Sequence, residues 1–177
     1  SLGLSQLYMS QAQAAQAAYT PPTISISLDP TQFRQQKGQL PPPVSGPVWL
    51  GYGIYQDAQG ETRQSLGLDF MAPEGTPFVA VFPGKVSMVQ YVRAYGQTVV
   101  VEHGSYSTLY AHASAITVQV GQEVRAGEVL GKAGTTGMAD DSHALVHFEV
   151  RYNGTPQNPT EWLGKLTCHP EAKLCGH

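Results

Sequence analysis

The chain has 177 residues, of which 13% are charged, with 19 Gly, 13 Pro and a formal net charge of −3. That length suits one domain with appendages, and the Gly and Pro content fits a turn-rich β protein. The charge balance excludes a basic footprint for nucleic acid and a polybasic membrane patch, and no apolar run is long enough for a membrane-spanning helix.

Residues 1–20 come first. Leu4, Leu7, Tyr8, Met9, Ala14, Ala15 and Ala18 fall at helical spacing, no charged residue interrupts them, and Pro21-Pro22 would stop the helix. A helix this short and uncharged needs a packing surface, so it reads as an arm on the domain or the end of a longer coiled coil. No leader is visible ahead of Ser1, which fits a piece of a longer precursor. Residues 21–46 form a Pro-rich connection, with a polar run from Thr31 to Gly38 that can make a short helix. Within residues 47–164, apolar or alternating runs at 78–82, 85–92, 98–103, 107–112, 129–133 and 144–152 lie between Gly-bearing turns and are expected to pair antiparallel. Residues 165–177 are a tail carrying the only two cysteines, Cys168 and Cys175. An isolated pair of this kind points to a small disulfide loop and an oxidising compartment. The competing reading, a metal knuckle with His169 and His177, matches no known zinc spacing.

The segments Ser65-Leu66-Gly67-Leu68-Asp69, Leu109-Tyr110-Ala111-His112 and Leu145-Val146-His147-Phe148-Glu149 resemble the three motifs of the LytM domain, the catalytic fold of lysostaphin-like zinc metallopeptidases. The connecting pieces Gly75-Thr76-Pro77, Gly84-Lys85-Val86, Tyr95-Gly96-Gln97, Gly134-Thr135-Thr136-Gly137 and Asn158-Pro159 agree with it. The resemblance implies a mainly β fold, an antiparallel sheet of the duplicated hybrid motif type. It also implies a metal held by the residues at positions 65, 69 and 147, with the residues at 112 and 145 assisting the attacking water. Here Asp69, His147 and His112 remain, whereas Ser65 replaces a ligand and Leu145 a catalytic histidine. A catalytic zinc normally needs three protein ligands and an open position, so zinc is not expected. His143 is the one substitute ligand in view, since on a period-two strand it would share a face with Leu145 and His147. Each survivor also has an ordinary structural role open to it: a cap, a core histidine, a packed strand residue.

The stretch Lys37-Gly38-Gln39-Leu40-Pro41-Pro42-Pro43-Val44-Ser45-Gly46 sharpens the resemblance to EnvC-type murein hydrolase activators, whose LytM domains are degenerate at the same positions. The implied function is non-catalytic activation of a peptidoglycan amidase in cell division, outside the cytoplasm, with peptidoglycan and a membrane division complex as further partners through an upstream coiled coil. A groove built for a peptide can receive a helix face instead. Expected groove residues are Tyr52, Ser65, Asp69, His112, Leu145 and His147, followed by Tyr91, Tyr95 and Tyr110, and the arm of residues 2–18 is expected to compete for that groove. Two other readings stand open: a zinc endopeptidase with displaced ligands, and a peptidoglycan-binding module.

Overall fold

The computed structural model describes residues 30–176. The helix expected over residues 2–18, and the connection up to residue 29, lie outside the described residues. A short helix, α1 (Pro30–Gln35), leads into β1 (Val48–Leu50), β2 (Gly53–Gln56), β3 (Thr62–Ser65) and β4 (Leu68–Met71). Then come β5 (Pro77–Val79), β6 (Gly84–Val92), β7 (Gly96–His103), β8 (Tyr106–Ala113), β9 (Ala115–Ile116) and β10 (Glu123–Val124). The chain finishes with β11 (Val129–Lys132), β12 (Leu145–Tyr152), β13 (Thr155–Gln157) and β14 (Cys168–Lys173). No described helix is long and apolar enough to cross a membrane.

The main sheet runs β10-β6-β7-β8-β12-β4-β1-β14, with β13 also paired to β12; β5-β11-β9 form a second sheet, and β2-β3 a separate hairpin. Short Gly-bearing turns dictate the long antiparallel pairs. Gly104 at φ 84° lies between the paired residues His103 and Tyr106 of β7 and β8, and Asn153 and Gly154, both at positive φ, join β12 to β13. One pair departs from the antiparallel expectation: β14 runs parallel to β1, because the chain leaves the sheet through residues 158–167 before it returns.

Strand β12 is buried from Leu145 through Val150, as suits a strand covered on both faces. One face carries Val146, Phe148 and Val150 into the core, where Phe148 meets Tyr110 and Tyr110 stacks on Phe78 of the second sheet. The opposite face carries Leu145, His147 and Glu149.

Much of the Pro-rich connection belongs to this core. Phe33 of α1 is fully buried, stacked on His103 and Tyr106 and tilted against Trp162, each with ring centroids 4.9 Å apart. Leu40 and Val44 are buried with it. Backbone bonds from Gly38 and Leu40 to the Trp162 carbonyl, and from Gly164 to the Leu40 carbonyl, tie residues 38–40 to residues 162–164.

Candidate functional site

Antiparallel register places His147 of β12 directly opposite Asp69 of β4. The two side chains bond, His147 Nδ1 to Asp69 Oδ1 at 2.6 Å, while His147 Nε2 meets Glu149 Oε2 at 2.7 Å. A carboxylate oxygen only accepts, so both ring nitrogens donate and the ring is an imidazolium. Burial alone would strip that proton, but the charges of Asp69 and Glu149 outweigh it and raise the His147 pKa to about 9.

Glu149 is fully buried and accepts from three groups: His147, the Tyr95 hydroxyl at 2.7 Å and the Arg151 guanidinium, whose Nε lies 2.7 Å from Oε1. Burial disfavours its charge, yet the bond to His147 and the charge beside it hold its carboxyl below the usual range. The Tyr95 phenol is pushed up, first by burial and then by the carboxylate it faces. Asp69, His147, Glu149, Tyr95 and Arg151 therefore form one satisfied network.

His112 reaches the same side by a backbone device. Tyr110 pairs with Val99, and Ala113 with Gln97, so three steps on β8 answer two on β7. This bulge, with His112 at φ 64°, turns the His112 ring to within 6.0 Å of the His147 ring, centroid to centroid. His112 Nδ1 bonds the Thr136 carbonyl at 2.8 Å, and burial lowers its pKa despite that bond. The Thr136 loop locks into place at Gly96, where a Cβ would stand 2.2 Å from the Thr136 carbonyl oxygen.

Beside the network lies an open cleft of 280 Å³. Leu145 and Asp69 line it together with Trp49, Met138 and His143 and, on other elements, Tyr55, Asp140, Glu171 and Lys173. Of the expected groove residues, only Asp69 and Leu145 reach this cleft. Ser65 is buried, donating its hydroxyl to the Gly67 carbonyl at 2.9 Å, His147 sits within the network, and His112 is buried beside it on the Thr136 carbonyl. Tyr52 is half-buried in the bend between β1 and β2, and Tyr91 is exposed on β6.

Two expectations are corrected. Tyr110 is not a groove residue: it is fully buried, its hydroxyl bonded to Thr108 and to the Val81 amide. His143 does not share the His147 strand face, because β12 begins at Leu145; it is exposed, with its ring 5.0 Å from that of Trp49.

The sequence profile of peptidase family M23 matches residues 63–159, more than half of the chain. The chain belongs to peptidase family M23. Over 130 residues it is 37% identical to the murein hydrolase activator EnvC of Escherichia coli K12, a match covering 73% of this chain and 30% of EnvC. It is 41% identical over 98 residues to the DD-carboxypeptidase/endopeptidase Mpg of Neisseria meningitidis serogroup B, covering 55% of this chain and 22% of Mpg. A zinc-containing peptidase from Vibrio cholerae superposes with a TM-score of 0.63 at 29% identity, over 70% of this chain and 40% of that one. The chain thus spans less than a third of the length of these two curated relatives.

In this M23 domain the residues at the metal positions do not fit a catalytic zinc. Asp69 and His147 are bonded to each other, and they are the only two ligating side chains left at the three metal positions. Ser65 is turned to the Gly67 carbonyl. Among the described residues, no group of three or more His, Cys, Asp or Glu side chains is placed to hold a metal ion.

Glu149 and Arg151 are the members of the network that sequence reasoning missed. The signal was present in Leu145-Val146-His147-Phe148-Glu149, since period two puts 145, 147 and 149 on one face. The partner of the carboxylate was not legible there.

Proposed function

We propose that this M23 domain is a non-catalytic activator of a peptidoglycan hydrolase, an N-acetylmuramoyl-L-alanine amidase, acting outside the cytoplasm in cell division. The amidase would present a helix to the cleft beside Leu145. The observation that carries this reading is the pair of replaced side chains: Ser65, bonded to the Gly67 carbonyl at a metal position, and Leu145, an apolar residue lining the cleft where a peptidase of this fold needs a histidine. Support comes from the relation to EnvC, from the apolar Leu145 in the position of a proton carrier, and from the Cys168–Cys175 disulfide, which suits an oxidising compartment.

The test uses dye-labelled sacculi and a purified amidase of the same organism. Added protein should raise dye release by the amidase and release none alone, and Met138→Glu, in the half-buried lining of the cleft, should abolish the activation. Chelator-sensitive release by the protein alone would overturn the reading in favour of a zinc-dependent enzyme, and an endopeptidase is what Mpg's name says of that relative. Zinc per chain after purification without chelator should be well below one. The pair Ser65→His and Leu145→His should raise it.

A further inference from the structure

The cleft is completed by a segment outside the matched family region. The M23 match ends at residue 159, and β14 begins at Cys168. That strand is pinned at both ends. The Val48 amide bonds the Thr167 carbonyl, the Gly51 amide bonds the Lys173 carbonyl, and Cys168 is disulfide-bonded to Cys175. Between these anchors β14 does not follow β1. Cys168 pairs with Val48 and Lys173 with Leu50, so β14 advances five residues while β1 advances two, and residues 169–172 bulge outward.

The bulge is aimed at the cleft. It sets the His169 ring 5.0 Å from Trp49 and brings Glu171 into the cleft lining with Leu145, Trp49 and Met138. Gly51 accommodates the chain just beyond, since a Cβ there would stand 1.8 Å from the Leu174 carbonyl oxygen.

The charges around the cleft are unevenly satisfied. Asp57 is paired with Arg63 and Asp69 with His147, and the Lys173 ammonium is bonded to the Gln56 carbonyl. The Glu171 carboxylate has neither a hydrogen bond nor an ion pair among the described residues, and Asp140 is held only by Ser142. The carbonyl that Lys173 meets is neutral and leaves its positive charge in place, so Glu171 and Asp140 against Lys173 leave a small net negative charge beside an apolar floor.

We propose that the disulfide-closed bulge of residues 168–175 is the partner-selecting wall of the cleft. It reads a hydrolase segment that sets an apolar side chain against Leu145 and Trp49 and a lysine or arginine against Glu171. This rests on the activator reading above. The disulfide and the β1 pairing hold the wall in its binding shape before the partner arrives, which lowers the ordering cost of association.

The test measures binding of the purified amidase to the wild-type protein, to Glu171→Lys and to Cys168→Ser/Cys175→Ser, at low and high salt, with melting curves as the folding control. Glu171 makes no side-chain contact that the fold uses, so its variant should melt like wild type. It should bind about tenfold more weakly, chiefly through slower association, and lose the salt dependence seen with wild type. The serine pair should keep a cooperative melt of the domain and also bind more weakly. If Glu171→Lys binds like wild type at both salt concentrations, the selecting wall is refuted while the activator reading stands. If wild type itself binds no amidase, the activator reading falls and the wall falls with it.

Discussion

Two buried histidines, His103 and His147, sit on the same sheet in opposite protonation states. His103 is 1% exposed, packs against Phe33 and Phe82, and bonds only neutral groups, the Pro83 carbonyl at 2.7 Å and the Thr108 hydroxyl at 2.8 Å. Burial dominates there and lowers its pKa to about 4. His147 is 8% exposed, nearly as buried, but faces two carboxylates and is raised to about 9. Burial sets the cost of the charge, and the partner decides whether it is met. The first histidine fills a core; the second occupies what in a peptidase of this fold would be a metal position.

The contrast breaks most sharply at Glu149. Glu149→Ala should cost about 3–5 kcal/mol, because it leaves the buried His147 and the half-buried Arg151 beside a vacant partner position; chemical denaturation measures this. His103→Leu should cost less, about 1–3 kcal/mol, since it orphans only the neutral Pro83 carbonyl and leaves the Thr108 hydroxyl its bond to Tyr110. An equal or larger loss at His103 would mean that the charged network contributes little.

The pH dependence separates the two histidines by sign. His147 has a folded pKa above its unfolded value of 6.5, so its contribution is complete below pH 6.5 and is lost as pH rises through about 9. His103 has a folded pKa below 6.5, so its contribution is present above pH 6.5 and is lost as pH falls toward 4. Glu149, held below its ordinary value, adds to the loss at acid pH. Melting temperature against pH should therefore fall on both sides of about pH 6.5, the ordinary histidine value. His103→Leu should flatten the acid limb, and His147→Gln the alkaline one. The smallest expected effect is local: Asp69→Asn should lower the His147 pKa while leaving His103 unmoved, followed by ring-proton NMR titration.

The sequence determined the sheet and the family resemblance. The runs at 84–92, 96–103, 106–113 and 145–152 form strands because apolar alternation and Gly turns act locally, and the helix read within residues 31–38 starts at Pro30, whose fixed φ suits a first helical position. Motif spacing also identified Asp69, His112 and His147, which the fold brings together.

What lay beyond reach was set by long-range pairing. Period two alone would place His112 on the same face as Tyr110, within the core; one extra residue in β8 turns it toward His147, and no local pattern announces that bulge. The partners of Glu149 arrive from β12 itself and from the turn after β6, and one wall of the cleft arrives from β14, paired with a strand more than a hundred residues earlier in the chain. Periodicity reports which way a side chain points along its own strand. Only the assembled sheet decides what it meets there, because a charge, a lone pair or an apolar face acquires its energy from the neighbour across the gap.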